Sequence, residues 1–375
     1  MKSAKRLLMA GLLAVAATGG AIAQAKDLTI GALFPMSGPN AVYYDIFGSG
    51  ANLAVEHINA DNMLDGKLSI QYEDSQALPQ QGVIGMNKLV NVTKVPYVMS
   101  AFTGVSKAIS TTGTRTKTVA INGGGVGPDL AELGPYFWNI IPLANFEVRA
   151  VLPYLVNERD AERFVLVYVD DPLGEAILQE MKATLADVGG ELVEALSVPA
   201  TAQQFSGIAA RVRAANPDVV YIASYGAQQA QMVKQFRDNG VSQQLVSYSA
   251  LSIPEIHSLP EAKGALYTSQ SIDWDADDPV TRRFVDDYQA RHNKMPSTYT
   301  ANYYNAVRLF ALLASELQKQ GKPITGENLL AQRNETKTFD LLGGQVTFQD
   351  NGTVISPMQI NEVDGSGGRT IMVIE

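Results

Sequence analysis

Cysteine is the first residue type that the sequence lacks. None of the 375 residues is a cysteine, which excludes disulfide bonds, thiolate metal sites and a cysteine nucleophile. A lipid anchor attached to a cysteine behind an export signal is excluded for the same reason. If the chain is exported, we therefore expect it to be released as a soluble protein.

Histidine is scarce, and familiar catalytic motifs are missing. The three histidines, His57, His257 and His292, show no HxxxH or HxH spacing, and we interpret them as packed or solvated side chains. The chain has no GxSxG elbow and no P-loop, and its glycine run at residues 123–127 fails the spacing of the dinucleotide fingerprint. The sequence therefore predicts no enzyme, no metal site and no cofactor.

Basic residues are outnumbered by acidic ones, which gives a formal net charge of -9. Because no basic stripe interleaved with aromatic residues is visible, we expect no nucleic-acid partner. Two acidic groups, Asp170-Asp171 and the cluster of Asp275, Asp277 and Asp278, could hold a cation or act as acid and base. We interpret both as solvated loop charges.

The longest apolar run lies at the amino terminus and is too short to span a bilayer. Three basic residues precede the run from Leu7 to Ala17, and Ala23 and Ala25 follow at the spacing of a signal peptidase site. This pattern favours a secretory signal peptide over a buried helix. The sequence predicts that residues 1–25 are the signal peptide, that cleavage occurs before Lys26, and that the protein resides in the periplasm.

Beyond Lys26, short apolar runs alternate with amphipathic ones, as in α/β proteins with parallel sheets. About four strand candidates lie in each of the stretches 28–121 and 164–268, with helix candidates between them. Some 350 residues exceed what one hydrophobic core usually serves, so two domains are expected. Ligands of such sheets bind beyond the carboxyl ends of the strands, which directs attention to the loops that follow them.

Several segments resemble the branched-chain amino-acid-binding protein family, also called the leucine/isoleucine/valine-binding proteins. The resemblance is carried by IGALFPMSGP at residues 30–39, GANLAV at 50–55, HIN at 57–59, YEDS at 72–75, DDPLG at 170–174 and NPDVVY at 216–221. Together these segments extend over nearly all of residues 26–350 and are specific as a set.

The resemblance implies a type I periplasmic binding protein, in which two doubly wound parallel-sheet lobes are joined by a hinge of three crossovers and close on a ligand. By analogy, lobe 1 comprises residues 26–142 plus 272–347, and lobe 2 comprises residues 143–271 plus 348–375. The family's role implies a monomer that carries a small molecule to an inner-membrane ABC permease.

The resemblance also implies where the ligand binds. The loop after the third strand, with Phe102, Thr103, Gly104 and Ser106, is expected to receive a carboxylate at a helix N-terminus. The next loop contributes Gly124, Gly125 and Val126, and Val126 stands where the family has a threonine that contacts the ligand's ammonium group.

Two further positions of the family pattern bear on the ligand. The family's acidic partner for the ammonium falls near Ser249, so both of its acceptors are replaced. The remaining expected contacts are aromatic: Tyr43 or Tyr44, Phe102, Tyr225 and Trp274. We therefore expect a small carboxylate without an ammonium group, aromatic or branched. The alternatives are an amino-acid-binding protein, a periplasmic ligand sensor of the same fold and, more remotely, a hydrolase.

Overall fold

The structure is a computed structural model that describes residues 26–365 and 368–374. The predicted signal peptide, residues 1–25, lies outside the described residues. Within them the chain forms an α/β protein with two parallel-sheet lobes, and the predicted fold class is confirmed. No helix in the described ranges is long and apolar enough to cross a membrane.

Lobe 1 is built on a five-stranded parallel sheet with the order β2-β1-β3-β4-β5. Its strands are β1 (Leu28–Phe34), β2 (Leu68–Asp74), β3 (Tyr97–Ser100), β4 (Val119–Asn122) and β5 (Phe137–Asn139), and its first helices are α1 (Val42–Ala60), α2 (Pro79–Lys88) and α3 (Thr103–Thr116). The first four strands agree with the prediction of about four strands within residues 28–121, whereas β5 was not predicted because it is only three residues long and ends in a polar residue, Asn139.

Lobe 2 is built on a seven-stranded sheet with the order β15-β14-β10-β9-β8-β6-β7. Its strands are β6 (Arg163–Val169), β7 (Glu191–Val198), β8 (Val219–Ala223), β9 (Gln244–Ser247), β10 (Leu266–Gln270), β14 (Met358–Val363) and β15 (Gly368–Ile374), and its helices are α4 (Ala144–Arg159), α5 (Pro172–Val188), α6 (Ser206–Ala215), α7 (Gly226–Asp238) and α8 (Pro254–His257). Five strands are parallel, and the two carboxy-terminal strands add an antiparallel edge.

The segment between β10 and β14 returns to lobe 1, since α10 lies along α1. Its elements are α9 (Pro279–His292), α10 (Thr298–Lys319), α11 (Gly326–Thr336), and a small antiparallel sheet of β11 (Thr338–Leu341), β12 (Gly344–Phe348) and β13 (Val354–Ile355). The chain thus passes between the two sheets three times, after β5, after β10 and after β13, as the resemblance implies.

The third crossover lies later than the boundary assigned by analogy. Strand β13 pairs with β12, and the Asn139 N–H of β5 donates to the Gly352 carbonyl at 2.8 Å. Residues 348–355 therefore pack on the lobe 1 side, although the predicted boundary after residue 347 placed them in lobe 2.

The contact between α1 and α10 depends on a glycine. A β-carbon at Gly50 would overlap the carbonyl oxygen of Thr300, so only glycine allows this separation of the two helices. By contrast, a β-carbon at Gly48 on the same helix would lie 3.7 Å from the Tyr44 ring, which is ordinary van der Waals contact.

Gly50→Ala is therefore expected to destabilise the protein by about 1–3 kcal/mol, because the two helices must move apart. Gly48→Ala is the matched control, and its gain in helix propensity should leave stability unchanged or raise it by up to about 1 kcal/mol. Urea unfolding of both variants measures the difference. Equal stability of the two variants would contradict the proposed packing role of Gly50.

Candidate functional site

A cavity of about 200 Å³ lies between the lobes, where the carboxyl ends of lobe 1 strands face those of lobe 2 strands. It is lined by Tyr43, Phe47, Ala77, Leu78, Pro79, Phe102, Thr103, Gly104, Gly124, Gly125, Val126, Asp171, Pro172, Leu173, Ala200, Tyr225, Tyr248, Ala250 and Tyr299. The volume suits a compact molecule with one ring or one branched chain. The cavity is where the loops that follow parallel strands are expected to bind ligands.

The N-terminus of α3 opens into this cavity without a side-chain cap. The helix follows Phe102, whose φ of 64° turns the chain sharply into the first helical residue. The N–H groups of Thr103, Gly104 and Val105 precede the first residue that can donate within the helix. Free N–H groups and the helix dipole together favour an anion at this point.

The glycine loop after β4 is shaped by a buried asparagine and is joined to α3 by a threonine. Asn122 accepts from the Gly125 N–H at 2.7 Å and donates to the Gly125 carbonyl at 2.6 Å. A β-carbon at Gly125 would lie 2.9 Å from the Thr103 nitrogen, so this close approach requires glycine. Thr103 Oγ1 accepts from the Gly127 N–H at 3.0 Å, which fixes the two loops to each other.

Aromatic rings from both lobes form the walls of the cavity. Phe102 lies between Tyr43 and Tyr225, with ring centroids 5.4 and 5.6 Å away. The Gly226 N–H of lobe 2 donates to the Tyr43 hydroxyl of lobe 1 at 3.2 Å. These contacts join the lobes, so the structure represents a closed arrangement.

A carboxylate on the cavity wall corrects the expectation that the site has no acceptor. Asp171 Oδ1 accepts from the Gly174 N–H at 2.9 Å and Oδ2 from the Tyr225 hydroxyl at 2.8 Å. Burial raises the pKa of the Asp171 carboxyl above its ordinary value, against the opposing effect of these hydrogen bonds. Asp171 is therefore not the solvated loop charge that the sequence suggested, although its position directly after β6 indicated a place in the cleft.

Ser249 lies behind the cavity wall rather than on it, since Tyr248 and Ala250 line the cavity and Ser249 is buried. Its N–H donates to Glu147 Oε2 at 2.6 Å, its hydroxyl oxygen lies 2.8 Å from Oε1, and the Thr268 hydroxyl donates to Oε2 at 3.2 Å. Burial raises the pKa of Glu147 to about 8, although these hydrogen bonds oppose the rise. Glu147 is thus mainly uncharged at neutral pH.

Sequence reasoning missed Glu147, and a signal was available. Glu147 lies on α4 in the same stripe as the buried residues Ala144, Val148 and Val151. A single acidic residue within an apolar helical stripe predicts a buried carboxyl group. Tyr299 was also missed. Without the fold, no feature of the sequence indicates that the start of α10 lies in the cleft.

Three other predicted site residues lie away from the cavity. Ser106 is fully buried, and its hydroxyl lies 3.0 Å from that of Ser100. Tyr44 points away along α1 and packs edge-on against Tyr72 at 5.8 Å. Trp274 stacks on Phe284 beside a different, larger cavity of about 450 Å³. In the described part of the chain, no group of three or more histidine, aspartate or glutamate side chains is placed to hold a metal.

Comparison with known proteins agrees with the fold and the cavity between the lobes. Residues 27–369 match the family model described as periplasmic binding protein. The chain belongs to this family. Its members are solute-binding proteins, and the recognition made from the sequence is confirmed.

The sequences of two curated proteins align with most of the chain. The Leu/Ile/Val-binding protein BraC3 of Rhizobium johnstonii is 25% identical over 339 residues, covering 88% of this chain and 89% of its own. The leucine-specific-binding protein of Salmonella typhimurium is 25% identical over 317 residues, covering 83% of this chain and 84% of its own.

Two solved structures of similar fold differ in the class of ligand that they are described with. A leucine-binding protein from Thermotoga maritima has a TM-score of 0.85 and 18% identity, covering 93% of this chain and 99% of its own. A solute-binding protein of an ABC transporter from R. palustris, in complex with benzoate, has a TM-score of 0.83 and 16% identity, covering 93% and 96%.

The buried carboxyl group of Glu147 should make stability depend on pH. The unfolded chain loses this proton near the ordinary value of about 4.5 and the folded chain near 8, so the folded state binds the extra proton between these values. The stabilising contribution is therefore complete below about pH 4.5 and is lost as the pH rises to about 8. We expect a loss of a few kcal/mol across this window.

Urea unfolding of the wild type and of Glu147→Gln between pH 5 and 9 measures this contribution. The amide that replaces the carboxyl group cannot ionise, so the variant should lack most of the decline. Glu180→Gln, which removes a carboxyl group paired with Arg149 between α4 and α5, is the control and should keep it. Parallel curves for Glu147→Gln and the wild type would show that Glu147 is ionised in the folded protein.

Proposed function

We propose that this protein captures a small carboxylate, aromatic or branched and lacking an ammonium group, between its two lobes. It is exported by the signal peptide of residues 1–25, acts in the periplasm as a monomer, and presents the closed form to an inner-membrane ABC permease. The observation that carries this proposal is the uncapped N-terminus of α3, which opens into an aromatic cavity enclosed by both lobes.

The anionic end of the ligand is assigned to α3. No lysine or arginine is among the residues that line the cavity, so the N–H groups of Thr103, Gly104 and Val105 are the donors that can balance a carboxylate. A helix N-terminus binds anions through such groups without a basic side chain. A few such hydrogen bonds with apolar burial correspond to affinities on the order of micromolar.

The body of the ligand is assigned to the ring-lined part of the cavity. Phe102 contacts both Tyr43 and Tyr225, with ring centroids 5.4 and 5.6 Å apart, and the three rings together form an aromatic surface against which a ligand ring can pack. Solute-binding proteins of similar fold have been solved with benzoate and with 4-hydroxybenzoate, at 16% and 20% identity to this chain. These neighbours support an aromatic carboxylate as the first ligand class to test.

Closure of the lobes supports delivery as well as capture. Tyr43 of lobe 1 and Gly226 of lobe 2 are joined by a hydrogen bond at the cavity wall, so a ligand in the cavity contacts both lobes. A ligand that contacts both lobes stabilises the closed form over the open one. A permease that recognises the relative position of the lobes can then distinguish the loaded protein from the empty one.

An α-amino acid is the second candidate. It is favoured by the names of the curated relatives and by Asp171, whose carboxylate lies on the cavity wall. However, each oxygen of Asp171 already accepts one hydrogen bond, Glu147 is mainly uncharged, and Val126 has no hydroxyl group. An ammonium group has three donors to satisfy, and Asp171 is the one carboxylate that lines the described cavity.

A thermal-shift screen followed by titration calorimetry separates the two candidates. Benzoate, 4-hydroxybenzoate and branched keto acids are compared with leucine and valine, and we expect the carboxylates alone to bind. Asp171→Asn should keep or improve the affinity for a carboxylate, because a nearby negative charge is removed while asparagine can still cap α5.

If an amino acid is the ligand, Asp171→Asn should instead raise its dissociation constant tenfold or more, because the ammonium group would lose its charged partner. Asp170→Asn, a change in the exposed neighbour, is the control. Binding of leucine, and its loss in Asp171→Asn alone, would overturn the carboxylate assignment in favour of an amino acid.

The aromatic wall is tested by Tyr225→Leu, which removes a ring that contacts Phe102. We expect the dissociation constant of the identified ligand to rise about tenfold, since stacking and the bond to Asp171 are both lost. Tyr44→Leu is the matched control, because Tyr44 follows the cavity residue Tyr43 in the sequence but packs against Tyr72 outside the cavity. Equal affinity of the two variants would show that the ligand binds elsewhere.

A further inference from the structure

A chain of three hydroxyl and carboxyl groups leads from the interior of lobe 2 to the cavity. Glu147 Oε1 lies 2.8 Å from the Ser249 hydroxyl, and the Ser249 hydroxyl lies 3.1 Å from that of Tyr299. Glu147 and Ser249 belong to lobe 2, whereas Tyr299 begins α10 of lobe 1 and lines the cavity. The chain of contacts therefore crosses between the lobes and ends at a residue that lines the cavity.

The surroundings of Glu147 determine which oxygen can carry a proton. Oε2 faces the Ser249 N–H, which can only donate, and it also accepts from Thr268. Oε1 faces one group, the Ser249 hydroxyl, which can either donate or accept. The proton of a neutral Glu147 therefore belongs on Oε1.

The two protonation states of Glu147 impose opposite directions on the chain. When the carboxyl group is ionised, Ser249 donates to it and Tyr299 donates to Ser249, so that Tyr299 presents lone pairs to the cavity. When Oε1 carries a proton, it donates to Ser249, Ser249 donates to Tyr299, and the Tyr299 O–H is free to donate to a ligand. In the neutral state the alternative, in which Glu147 and Tyr299 both donate to Ser249, would leave the buried Ser249 O–H without an acceptor among the contacts described.

We propose that Glu147 is a positioning residue whose proton makes Tyr299 a hydrogen-bond donor to the bound carboxylate, so that the protein binds its anionic ligand more tightly when Glu147 is neutral than when it is ionised. At neutral pH this proton is on Glu147 Oε1 before the anion arrives and stays there when it leaves, whereas at higher pH it is taken up from solvent on binding. This inference rests on the proposed function, because a ligand without an acceptor at this point would gain nothing from the donor.

The electrostatic surroundings of Glu147 favour its protonated form at neutral pH. Its pKa is raised to about 8 by burial, and no lysine, arginine or histidine of the described chain forms an ion pair with it. The titratable groups that face it are the phenols of Tyr221 and Tyr299. On α5 and β14, which pack against α4, Glu180 is paired with Arg149 and Glu362 with Arg369.

Calorimetric titration with benzoate between pH 6 and 9.5, at constant ionic strength, tests the inference, because benzoate stays ionised throughout. The wild-type dissociation constant should be level up to about pH 7.5 and should then rise, approaching tenfold per pH unit. Glu147→Gln should give a level profile, since the introduced amide donates permanently to Ser249. Glu180→Gln is the matched control and should follow the wild type.

Two further variants separate the hydrogen-bond chain from a simple effect of charge. Ser249→Ala interrupts the chain and should give a level profile, while a purely electrostatic coupling would survive it. Tyr299→Phe removes the final donor without removing the ring, and it should bind benzoate about fivefold more weakly at pH 7 with a level profile.

The outcomes distinguish this inference from the proposed function. Benzoate binding with equal affinity at pH 7 and pH 9, or a wild-type profile in Glu147→Gln or Ser249→Ala, overturns the inference and leaves carboxylate capture intact. If neither benzoate nor any other carboxylate of the screen binds at any pH, the proposed function fails and the inference fails with it.

Discussion

The free N-terminus of α3 is the constraint on which the binding site depends. A helix that begins in an enclosed cavity leaves three N–H groups without partners unless a cap, water or ligand supplies acceptors. Here Phe102 precedes the helix and supplies no cap, and the Asn122 side chain is committed to the neighbouring glycine loop. The arrangement therefore favours an anion at the start of α3, as the proposed carboxylate ligand requires.

Two acidic side chains show how burial decides the chemistry of the opposite wall. Asp171 and Glu147 both lie in lobe 2, and desolvation raises the pKa of each. Asp171 is held by one N–H and one phenol at the cavity surface, whereas Glu147 is enclosed behind Ser249. A count of acidic residues cannot distinguish these situations, but their hydrogen-bond partners can.

The sequence was sufficient for the parallel strands other than β5 and for the loops that follow them, because buried parallel strands are short apolar runs with polar residues at their ends. This reasoning placed Phe102, Gly124 and Tyr225 at the cavity. It failed for Ser106 and Ser249, because alignment with a family locates a residue in the chain and not the direction of its side chain. Tyr299 was inaccessible to it, since a long-range contact between α1 and α10 brings that residue to the site.

The small volume of the cavity has a consequence for cargo selection. The walls come from both lobes and meet at the hydrogen bond between Tyr43 and Gly226. The cavity is therefore fully enclosed only when the lobes are closed. A solute longer than the space would hold the lobes apart even if its carboxylate reached α3. If a transporter recognises the closed form as proposed, oversized molecules would be rejected at that step, by the angle between the lobes, rather than at the moment of first encounter.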